Sequence, residues 1–307
     1  MGDRLKGRVA IVTGSGGGIG RGEALALASE GANIVINDMG AALDGSGTGD
    51  ATPAERVVQE IKAMGCQAVA NHDNIVETDT GEKLVKLALD NWGRLDIVVN
   101  NAGILRDRMI FNMAPEDWDS VIAVHLRGHF NTSRPACAYF RQERKGGVII
   151  NTSSTSGLGN PGQTNYAAAK EGIVGFTRTL AREMGRYGVR SNAIRPQAAT
   201  RMTLSPDMRA RFERAGEAGM KALAEMEKQV PEQVGPMVAW LCTDEAANVN
   251  GRNFLVRYGF IGLYSEPEIV ASAESEQQWT VDVISKTIPE KVTKGLMNEW
   301  PAQPPKE

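Results

Sequence analysis

The chain has few cysteines and no long apolar run, and both shortages narrow its class. Its three cysteines, Cys66, Cys137 and Cys242, form no CxxC pair, so we expect reduced thiols in a cytoplasmic protein rather than a disulfide framework. No stretch approaches the ~20 apolar residues that a membrane-spanning helix needs, so a membrane is not an expected partner. The sequence also predicts no metal site.

An excess of charge of either sign is also missing. Lys and Arg total 34 against 37 Asp and Glu, which gives a formal net charge of -3. A protein that binds nucleic acid usually carries a clear basic excess, so nucleic acid is not an expected partner either. The composition, 42% hydrophobic and 23% charged, excludes a disordered chain and indicates a globular one.

Short β-rich runs alternate with amphipathic helical stretches along the front of the chain. Strands are predicted at residues 8–13, 33–37, 67–70, 95–100, 148–152 and 189–194. Helices are predicted at residues 18–30, 54–64, 78–92, 115–143 and 165–187. This alternation, with near-continuous apolar strands, is typical of a parallel sheet covered on both faces. Because crossovers are right-handed, the sequence predicts an α/β fold with a doubly wound parallel sheet.

A glycine-rich turn follows the first predicted strand and opens the first predicted helix. Residues 13–20 read TGSGGGIG; the glycines allow a tight turn and a close approach of the backbone to a ligand. The helix N-terminus then offers unpaired N–H groups and a positive dipole end to a pyrophosphate. The alternative is a tight turn without a ligand, but the strand-turn-helix context favours a dinucleotide. The candidate cofactor ligands in this turn are Gly14, Ser15, Gly18, Ile19 and Gly20.

A carboxylate stands where the second predicted strand ends. Asp38 could accept hydrogen bonds from a ribose 2′-OH and would repel a 2′-phosphate, and the residues that follow it, Met39 and Gly40, are uncharged. The sequence therefore predicts NAD rather than NADP. The alternative is that Asp38 only caps a loop. The low-complexity residues 40–49 (GAALDGSGTG) are predicted to form a flexible surface loop.

Tyr166 and Lys170 are the candidate reactive pair. They stand four residues apart in YAAAK at the start of a predicted helix, so they share one helix face. A neighbouring ammonium and an oxidised nicotinamide would both favour the phenolate, which lowers the pKa from about 10 toward the working pH of a general base. This pattern alone also fits a pair of residues on the surface. It favours a reactive pair here because the chain also contains the glycine-rich turn at residues 13–20 and the hydroxyl-rich residues 152–156 (TSSTS).

In combination, these motifs resemble the short-chain dehydrogenase/reductase superfamily. The resemblance rests on TGSGGGIG, on NNAG at residues 100–103 and on a serine upstream of YAAAK. The segments NNAGILRDRM, VHLRG, NPGQTNYAAAK, TRMT and WLC further resemble the branch that contains the dehydrogenase unit of peroxisomal multifunctional enzyme type 2 and single-domain bacterial relatives. This resemblance implies a Rossmann-type sheet of about seven strands, and it extends through GFIGLYSEPE at residues 259–268.

The resemblance also implies roles for single residues. Tyr166 would be the acid/base and Lys170 its pKa-lowering partner and a ribose ligand. The serine that orients the substrate would be Ser154, counted from the strand end, or Ser153, counted back from the tyrosine. His125 stands where the wider superfamily has Asn, and it would either relay a proton or pack within a helix. Further cofactor contacts are implied for Asp73, Asn74, Asn101, Ala102, Gly103 and Pro196.

The resemblance suggests how the chain is divided. Residues 1–260 would form the NAD-binding domain, with a substrate lid at 202–229, and residues 261–307 would extend the same domain. Arginines at the edge of the lid and within it could meet the phosphates of an acyl-CoA: Arg201, Arg209, Arg211 and Arg214. The alternative for the lid is an amphipathic helix with a solvated charged face.

The predicted activity is the reversible, NAD-dependent oxidation of a secondary alcohol to a ketone. The favoured small-molecule substrates are a (3R)-3-hydroxyacyl-CoA or a hydroxysteroid; the alternative substrate is another cyclic or aryl alcohol from a degradative pathway. The alternative of another class is an NAD-sensing regulatory protein, which would have no use for the tyrosine and lysine of YAAAK. The resemblance also implies a homodimer or homotetramer that pairs the helices at 115–143 and 165–187 across a two-fold axis.

Overall fold

The architecture is taken from a computed structural model that describes residues 2–47, 50–200, 204 and 206–301. The chain divides into two compact units, Met1–Tyr264 and Ser265–Glu307. The second unit contains one described helix, Val281–Lys291, which Thr280 caps by accepting a hydrogen bond from the Val283 N–H at 3.3 Å. The predicted boundary after residue 260 stays a prediction.

The first unit is built on one twisted sheet. Its strands are β1 Val9–Thr13, β2 Asn33–Asn37, β3 Ala68–Asn71, β4 Ile97–Asn100, β5 Gly147–Thr152, β6 Val189–Pro196, β7 Asn253–Arg257 and β8 Phe260–Leu263. Their order is β3-β2-β1-β4-β5-β6-β7-β8, and all neighbours are parallel except β7 and β8. The strand order reverses between β1 and β4, where sheets of this type open a crevice for ligands at their carboxyl edge.

Helices follow the strands as the sequence predicts. In the first unit they are α1 Gly18–Ser29, α2 Thr52–Ala63, α3 Thr80–Trp92, α4 Pro115–Ile122, α5 Gly128–Glu143, α6 Thr164–Met184, α7 Pro206–Arg214, α8 Gly216–Glu227 and α9 Gly235–Leu241. The single helix predicted at 115–143 is α4 and α5 joined by a π-helical turn, Ala123–Arg127. Such turns insert an extra residue and occur often at functional sites.

Alternate residues of the strands enter two separate cores. In β1, Ala10 and Val12 join the apolar cluster beneath α1, α2 and α9, whereas Val9 and Ile11 join the cluster beneath α3, α5 and α6. Every residue of β1 is therefore buried, because successive side chains point to opposite faces and both faces are covered. This explains the near-continuous apolar strands and confirms the predicted Rossmann-type α/β fold.

One strand of the first unit was not predicted, and one predicted segment is only partly described by the structure. The last strand, β8, pairs antiparallel with β7 after a turn in which Gly259 has a φ of +66°; its exposed Phe260, Ile261 and Leu263 give no strand-like alternation. The predicted helical segment 202–229 contains α7 and α8, while residues 202, 203 and 205, and Arg201 before them, lie outside the described residues. No described helix is long and apolar enough to cross a membrane.

Candidate active site

The turn between β1 and α1 leaves open space in front of its backbone. Gly14 has a φ of +62°, and a Cβ on it would lie 2.6 Å from the Cα of Ala102, so a side chain there would collide. Gly18 also has a positive φ, +53°. Gly17, the N-cap of α1, carries no side-chain cap, and a Cβ on it would meet no atom of the described residues within 4 Å. The first N–H groups of α1 therefore face a space that fits a pyrophosphate.

Asp38 lies beside this turn at the end of β2. Its Oδ2 accepts the Gly16 N–H at 2.8 Å and its Oδ1 accepts the Gly40 N–H at 2.7 Å. The carboxylate also lines the cavity above the turn. Asp38 thus ties two loops together, as the capping alternative predicts, and its contact with a ribose stays a prediction.

A cavity of about 850 Å³ opens over the carboxyl edge of the sheet. It joins the glycine turn to the residues at the ends of β2, β4, β5 and β6 and at the start of α6. The residues proposed from the sequence that line it are Gly14, Gly18, Ile19, Asp38, Asp73, Asn74, Asn101, Ala102, Gly103, His125, Ser153, Ser154, Tyr166, Lys170 and Pro196. Thus one cavity contains nearly every catalytic or cofactor-binding residue that the sequence predicted.

Ser15 and Gly20 support the turn from behind and do not line this cavity. The Ser15 hydroxyl donates to the Val12 carbonyl at 2.7 Å. A Cβ on Gly20 would lie 2.4 Å from both the Asn101 Nδ2 and the Gly14 carbonyl oxygen. The Asn101 amide in turn donates to that carbonyl at 3.0 Å. These residues shape the cradle, and direct cofactor contacts for Ser15 and Gly20 stay predictions.

Tyr166 lies in the first turn of α6 and is only 9% exposed. The His125 ring meets it edge-on with 5.0 Å between centroids, and the Lys170 Nζ lies 5.4 Å from its ring centroid. Burial raises the pKa of Tyr166 to about 12, against a hydrogen bond with Ser154 that lowers it. The lowered pKa expected from the sequence includes the charge of a bound oxidised nicotinamide, so it stays a prediction. That expectation left out desolvation, which penalises the phenolate in the free protein.

Lys170 is more deeply buried, 2% exposed, and is held by a strand residue. Its Nζ donates to the Thr152 carbonyl at 2.6 Å. Burial lowers the pKa of Lys170 to about 7, and the charge of Glu23 opposes this shift. The Glu23 carboxyl group is therefore the charge that stabilises the Lys170 ammonium. The YAAAK pattern gave no indication of this interaction.

Glu23 is a functional candidate that sequence reasoning missed. It lies fully buried in α1, and neither of its carboxyl oxygens has a hydrogen-bond partner within the part of the chain that the structure describes. Burial raises its pKa to about 8, while the charge of Lys170 lowers it. One feature of the sequence could have indicated it. Glu23 is a charged residue within a helical segment whose neighbouring buried residues, Gly22, Ala24 and Leu27, are small or apolar.

The two candidate serines have different tasks. The Ser153 hydroxyl is buried and donates to the Lys170 carbonyl at 2.7 Å, so it holds the start of α6. The Ser154 Oγ accepts the Ser156 N–H at 3.1 Å, where Ser154 caps the short 3-10 turn Thr155–Leu158. The Ser154 side chain also hydrogen-bonds the Tyr166 phenol, so its hydroxyl faces the candidate reactive group, whereas the Ser153 hydroxyl is bonded to a backbone carbonyl. The geometry therefore favours Ser154 over Ser153 as the hydroxyl offered to a substrate.

His125 is brought to the cavity by the π-helical turn. Its Nε2 lies 2.8 Å from the Ile104 carbonyl oxygen and 3.1 Å from the Ile104 nitrogen, while its Nδ1 has no partner among the described residues. Burial holds its pKa well below the ordinary value, so the imidazole is neutral. A Cβ on Gly103 would lie 2.3 Å from the His125 Cε1, so the ring packs directly on the NNAG segment.

The loop after β2 also belongs to the site. The sequence predicts a flexible surface loop at 40–49, but Ala41, Ala42, Leu43 and Gly45 line the cavity. The Leu43 carbonyl accepts the Leu105 N–H at 3.0 Å, and the Asp44 carbonyl accepts the Arg106 Nε at 2.9 Å. These two bonds hold the loop against the segment after β4.

Comparison with known proteins agrees with this fold and site. The family model described as short chain dehydrogenase matches residues 8–208. A crystal structure of a short chain dehydrogenase from Mycobacterium avium is 42% identical, with a TM-score of 0.79 and coverage of 98% of this chain and 97% of that one. The chain therefore belongs to the short-chain dehydrogenase family and is an oxidoreductase, which confirms the resemblance seen in the sequence.

Two curated relatives have more specific names. Hydroxyacyl-CoA dehydrogenase ChsB1 of Mycobacterium tuberculosis is 45% identical over 282 residues, which is 86% of this chain and 82% of the relative. Peroxisomal multifunctional enzyme type 2 of Mus musculus is 45% identical over 263 residues, which is 84% of this chain and 33% of the relative. This chain therefore corresponds to about a third of the mouse enzyme.

Proposed function

We propose that the protein catalyses the reversible, NAD-dependent oxidation of a (3R)-3-hydroxyacyl-CoA to the 3-oxoacyl-CoA. The observation that carries this proposal is that Tyr166, Lys170 and Ser154 line the same cavity into which the glycine turn opens. The names of the bacterial and mouse relatives support an acyl-CoA as the substrate class.

The protein groups suit removal of a proton from a secondary hydroxyl. The Ser154 O–H donates to the substrate oxygen and orients it, and the Tyr166 phenolate takes the hydroxyl proton. The Lys170 ammonium, 5.4 Å from the tyrosine ring centroid, favours that phenolate. A nicotinamide cofactor held in the cradle would supply the hydride acceptor for the carbon that bears this hydroxyl, and its oxidised form would add positive charge to the site. In the reverse direction, Tyr166 returns the proton to the oxygen.

The residues of the cradle fit a dinucleotide. Gly14, Gly18 and Ile19 would hold the pyrophosphate through backbone N–H groups and the N-terminus of α1, and Asp38 would accept the ribose hydroxyls. Since the Asp38 carboxylate would repel a 2′-phosphate, this geometry supports NAD over NADP. The remaining contacts would come from Asp73, Asn74, Asn101, Ala102, Gly103 and Pro196, with Tyr166 and Lys170 at the nicotinamide end.

A substrate panel tests the proposal. The purified protein is assayed with the (3R)- and (3S)-isomers of 3-hydroxyacyl-CoAs, with hydroxysteroids and with small cyclic alcohols, each with NAD and with NADP. We expect the highest kcat/KM for a (3R)-3-hydroxyacyl-CoA with NAD. A higher kcat/KM for a steroid or cyclic alcohol would overturn the substrate class, and a preference for NADP would overturn the role of Asp38. Binding of NAD with no turnover of any alcohol would indicate a sensor instead.

A further inference from the structure

Arg195 is a charged residue in the interior that the reaction scheme does not use. It lies near the end of β6, is 2% exposed and is among the largest fully buried side chains of the protein. A buried charge is costly unless it is paired and hydrogen-bonded. The partners of its guanidinium therefore indicate what the residue does.

The partners of the Arg195 guanidinium are Ser154 after β5 and Glu171 in α6. The Arg195 Nη1 donates to the Ser154 carbonyl at 2.6 Å, and Nη2 donates to the Glu171 Oε2 at 2.6 Å. Glu171 follows Lys170 directly in α6. The Tyr264 ring lies 5.1 Å from the guanidinium carbon, at a distance typical of a cation–π contact. One planar side chain thus ties the loop after β5 to the helix that carries Tyr166 and Lys170.

The turn after Ser154 is shaped to fit this ion pair. The Ser154 carbonyl also accepts the Gly157 N–H at 3.1 Å. A Cβ on Gly157 would lie 2.9 Å from the Arg195 Nη1 and 2.9 Å from the Glu171 Oε2. The turn Thr155–Leu158 therefore packs directly on the guanidinium and carboxylate, and a larger residue at 157 would disturb this ion pair.

We propose that Arg195 is a positioning residue that fixes the Ser154 peptide, and through it the Ser154 hydroxyl, relative to α6. Its charge-assisted hydrogen bond to the Ser154 carbonyl prevents rotation of the peptide that follows Ser154. The bond to Glu171 anchors the same guanidinium to the helix of Tyr166 and Lys170. This proposal rests on the role given to Ser154 in the proposed function.

The same strand supplies a matched control. Arg190 lies five residues earlier in β6 and so points to the opposite face of the sheet. Its guanidinium likewise donates to backbone carbonyls, those of Leu241 at 2.8 Å and Thr243 at 3.1 Å. Neither of these partners lines the cavity, whereas Ser154 does. Arg190→Met thus removes a similar set of hydrogen bonds at a distance from Ser154.

The test compares Arg195→Met, Arg195→Lys and Arg190→Met by steady-state kinetics and NAD affinity. Because small misplacements of reacting groups cost up to about 10²-fold in rate, we expect Arg195→Met to lower kcat by roughly tenfold or more with an unchanged NAD dissociation constant. Arg195→Lys restores part of kcat, since one ammonium can satisfy the Ser154 carbonyl or Glu171 but lacks the planar fork to hold both. Arg190→Met leaves kcat near that of the wild type. An unchanged kcat in Arg195→Met would overturn the proposal.

Two further measurements keep the test decisive. Gly157→Ala places a methyl group 2.9 Å from the Arg195 Nη1 and from the Glu171 Oε2. It therefore disturbs this ion pair without removing either side chain, and we expect it to lower kcat even where Arg195→Met folds poorly. Amide hydrogen exchange of residues 153–158 needs no turnover; we expect faster exchange in Arg195→Met and unchanged exchange in Arg190→Met. Equal exchange in both variants would overturn the positioning role. A wild type without hydroxyacyl-CoA activity would overturn only the proposed function.

Discussion

The cofactor cradle and the catalytic cluster line one cavity but are built in opposite ways. The cradle is mainly backbone: glycines at 14, 17 and 18 clear a space in front of a helix N-terminus. The cluster consists of buried titratable side chains: Tyr166, Lys170 and His125, which line the cavity, and Glu23, which is fully buried in α1 and whose charge acts on Lys170. A short stretch of sequence therefore determines the cradle, whereas the properties of the cluster depend on what the whole fold packs around it.

Burial moves every titratable group of the cluster toward its neutral form. It raises the pKa of Tyr166 to about 12 and that of Glu23 to about 8, and it lowers the pKa of Lys170 to about 7. Desolvation always disfavours the charged form, so acids and bases shift in opposite directions. We expect changes in the cradle to alter ligand affinity and changes in the cluster to alter rates and pH dependence.

The largest expected effect is the loss of the phenol. Tyr166→Phe removes the proton acceptor and leaves the cradle intact, so kcat falls by about 10²–10⁴-fold, the range of general acid–base catalysis. NAD affinity, measured by fluorescence titration, stays close to that of the wild type. More than a few per cent of residual turnover would contradict the role of Tyr166, and a large loss of NAD affinity would show that the two regions are not separable.

Glu23 gives a test of burial through stability. Its pKa rises from an ordinary 4.5 to about 8, so between these values the folded state holds a proton that the unfolded state has released. The free energy of unfolding therefore falls as pH rises in this window, by about 1.4 kcal/mol per unit. Between pH 5 and pH 7, the stability of Glu23→Gln relative to the wild type should rise by about 3 kcal/mol.

Denaturant unfolding at several pH values measures this difference. The lowered pKa of Lys170, about 7 against an ordinary 10.5, makes stability rise with pH mainly above this window, because the unfolded state then binds more protons. Parallel pH curves for Glu23→Gln and the wild type between pH 5 and pH 7 would show that Glu23 ionises normally in the folded protein.

The smallest effect is expected in the cradle. The backbone φ at Gly17 is -172°, which any residue adopts, and in the described part of the chain no atom lies within 4 Å of a Cβ built there. Gly17→Val should therefore fold normally but project into the space for the pyrophosphate, which weakens NAD binding by roughly tenfold or more, about 1.4 kcal/mol. Gly175→Ala, another glycine with free space around it, is the matched control. Unchanged NAD affinity in Gly17→Val would place the dinucleotide elsewhere.

The sequence predicted the glycine turn and the strands better than it predicted the buried side-chain cluster. The strand–turn–helix at residues 13–20 and the alternating apolar strands depend on neighbours in the chain, so their signals are local. The loop after β2 was predicted to be a free surface loop because composition gives no information on its bonds to Leu105 and Arg106. The edge strand β8 was missed because its exposed apolar residues do not alternate with polar ones.

The electrostatics of the cluster could not be predicted for a physical reason. A pKa depends on desolvation as much as on charge, and desolvation is set by residues far apart in the chain. The YAAAK pattern gave the spacing of Tyr166 and Lys170, but not that Glu23 of α1 is buried within reach of the lysine charge. Arg195 likewise resembled an ordinary residue at the end of a strand until the fold placed Ser154 and Glu171 beside it.

The central claim is that burial keeps Tyr166 neutral in the free protein and that positive charge around the bound cofactor releases its proton. Ultraviolet difference titration of the wild type against Tyr166→Phe, with and without NAD, tests this most directly. Without NAD we expect an apparent pKa of about 12 for Tyr166; with NAD it should fall below the ordinary tyrosine value of about 10. A pKa near neutrality in the free protein, or one that NAD does not move, would contradict the claim.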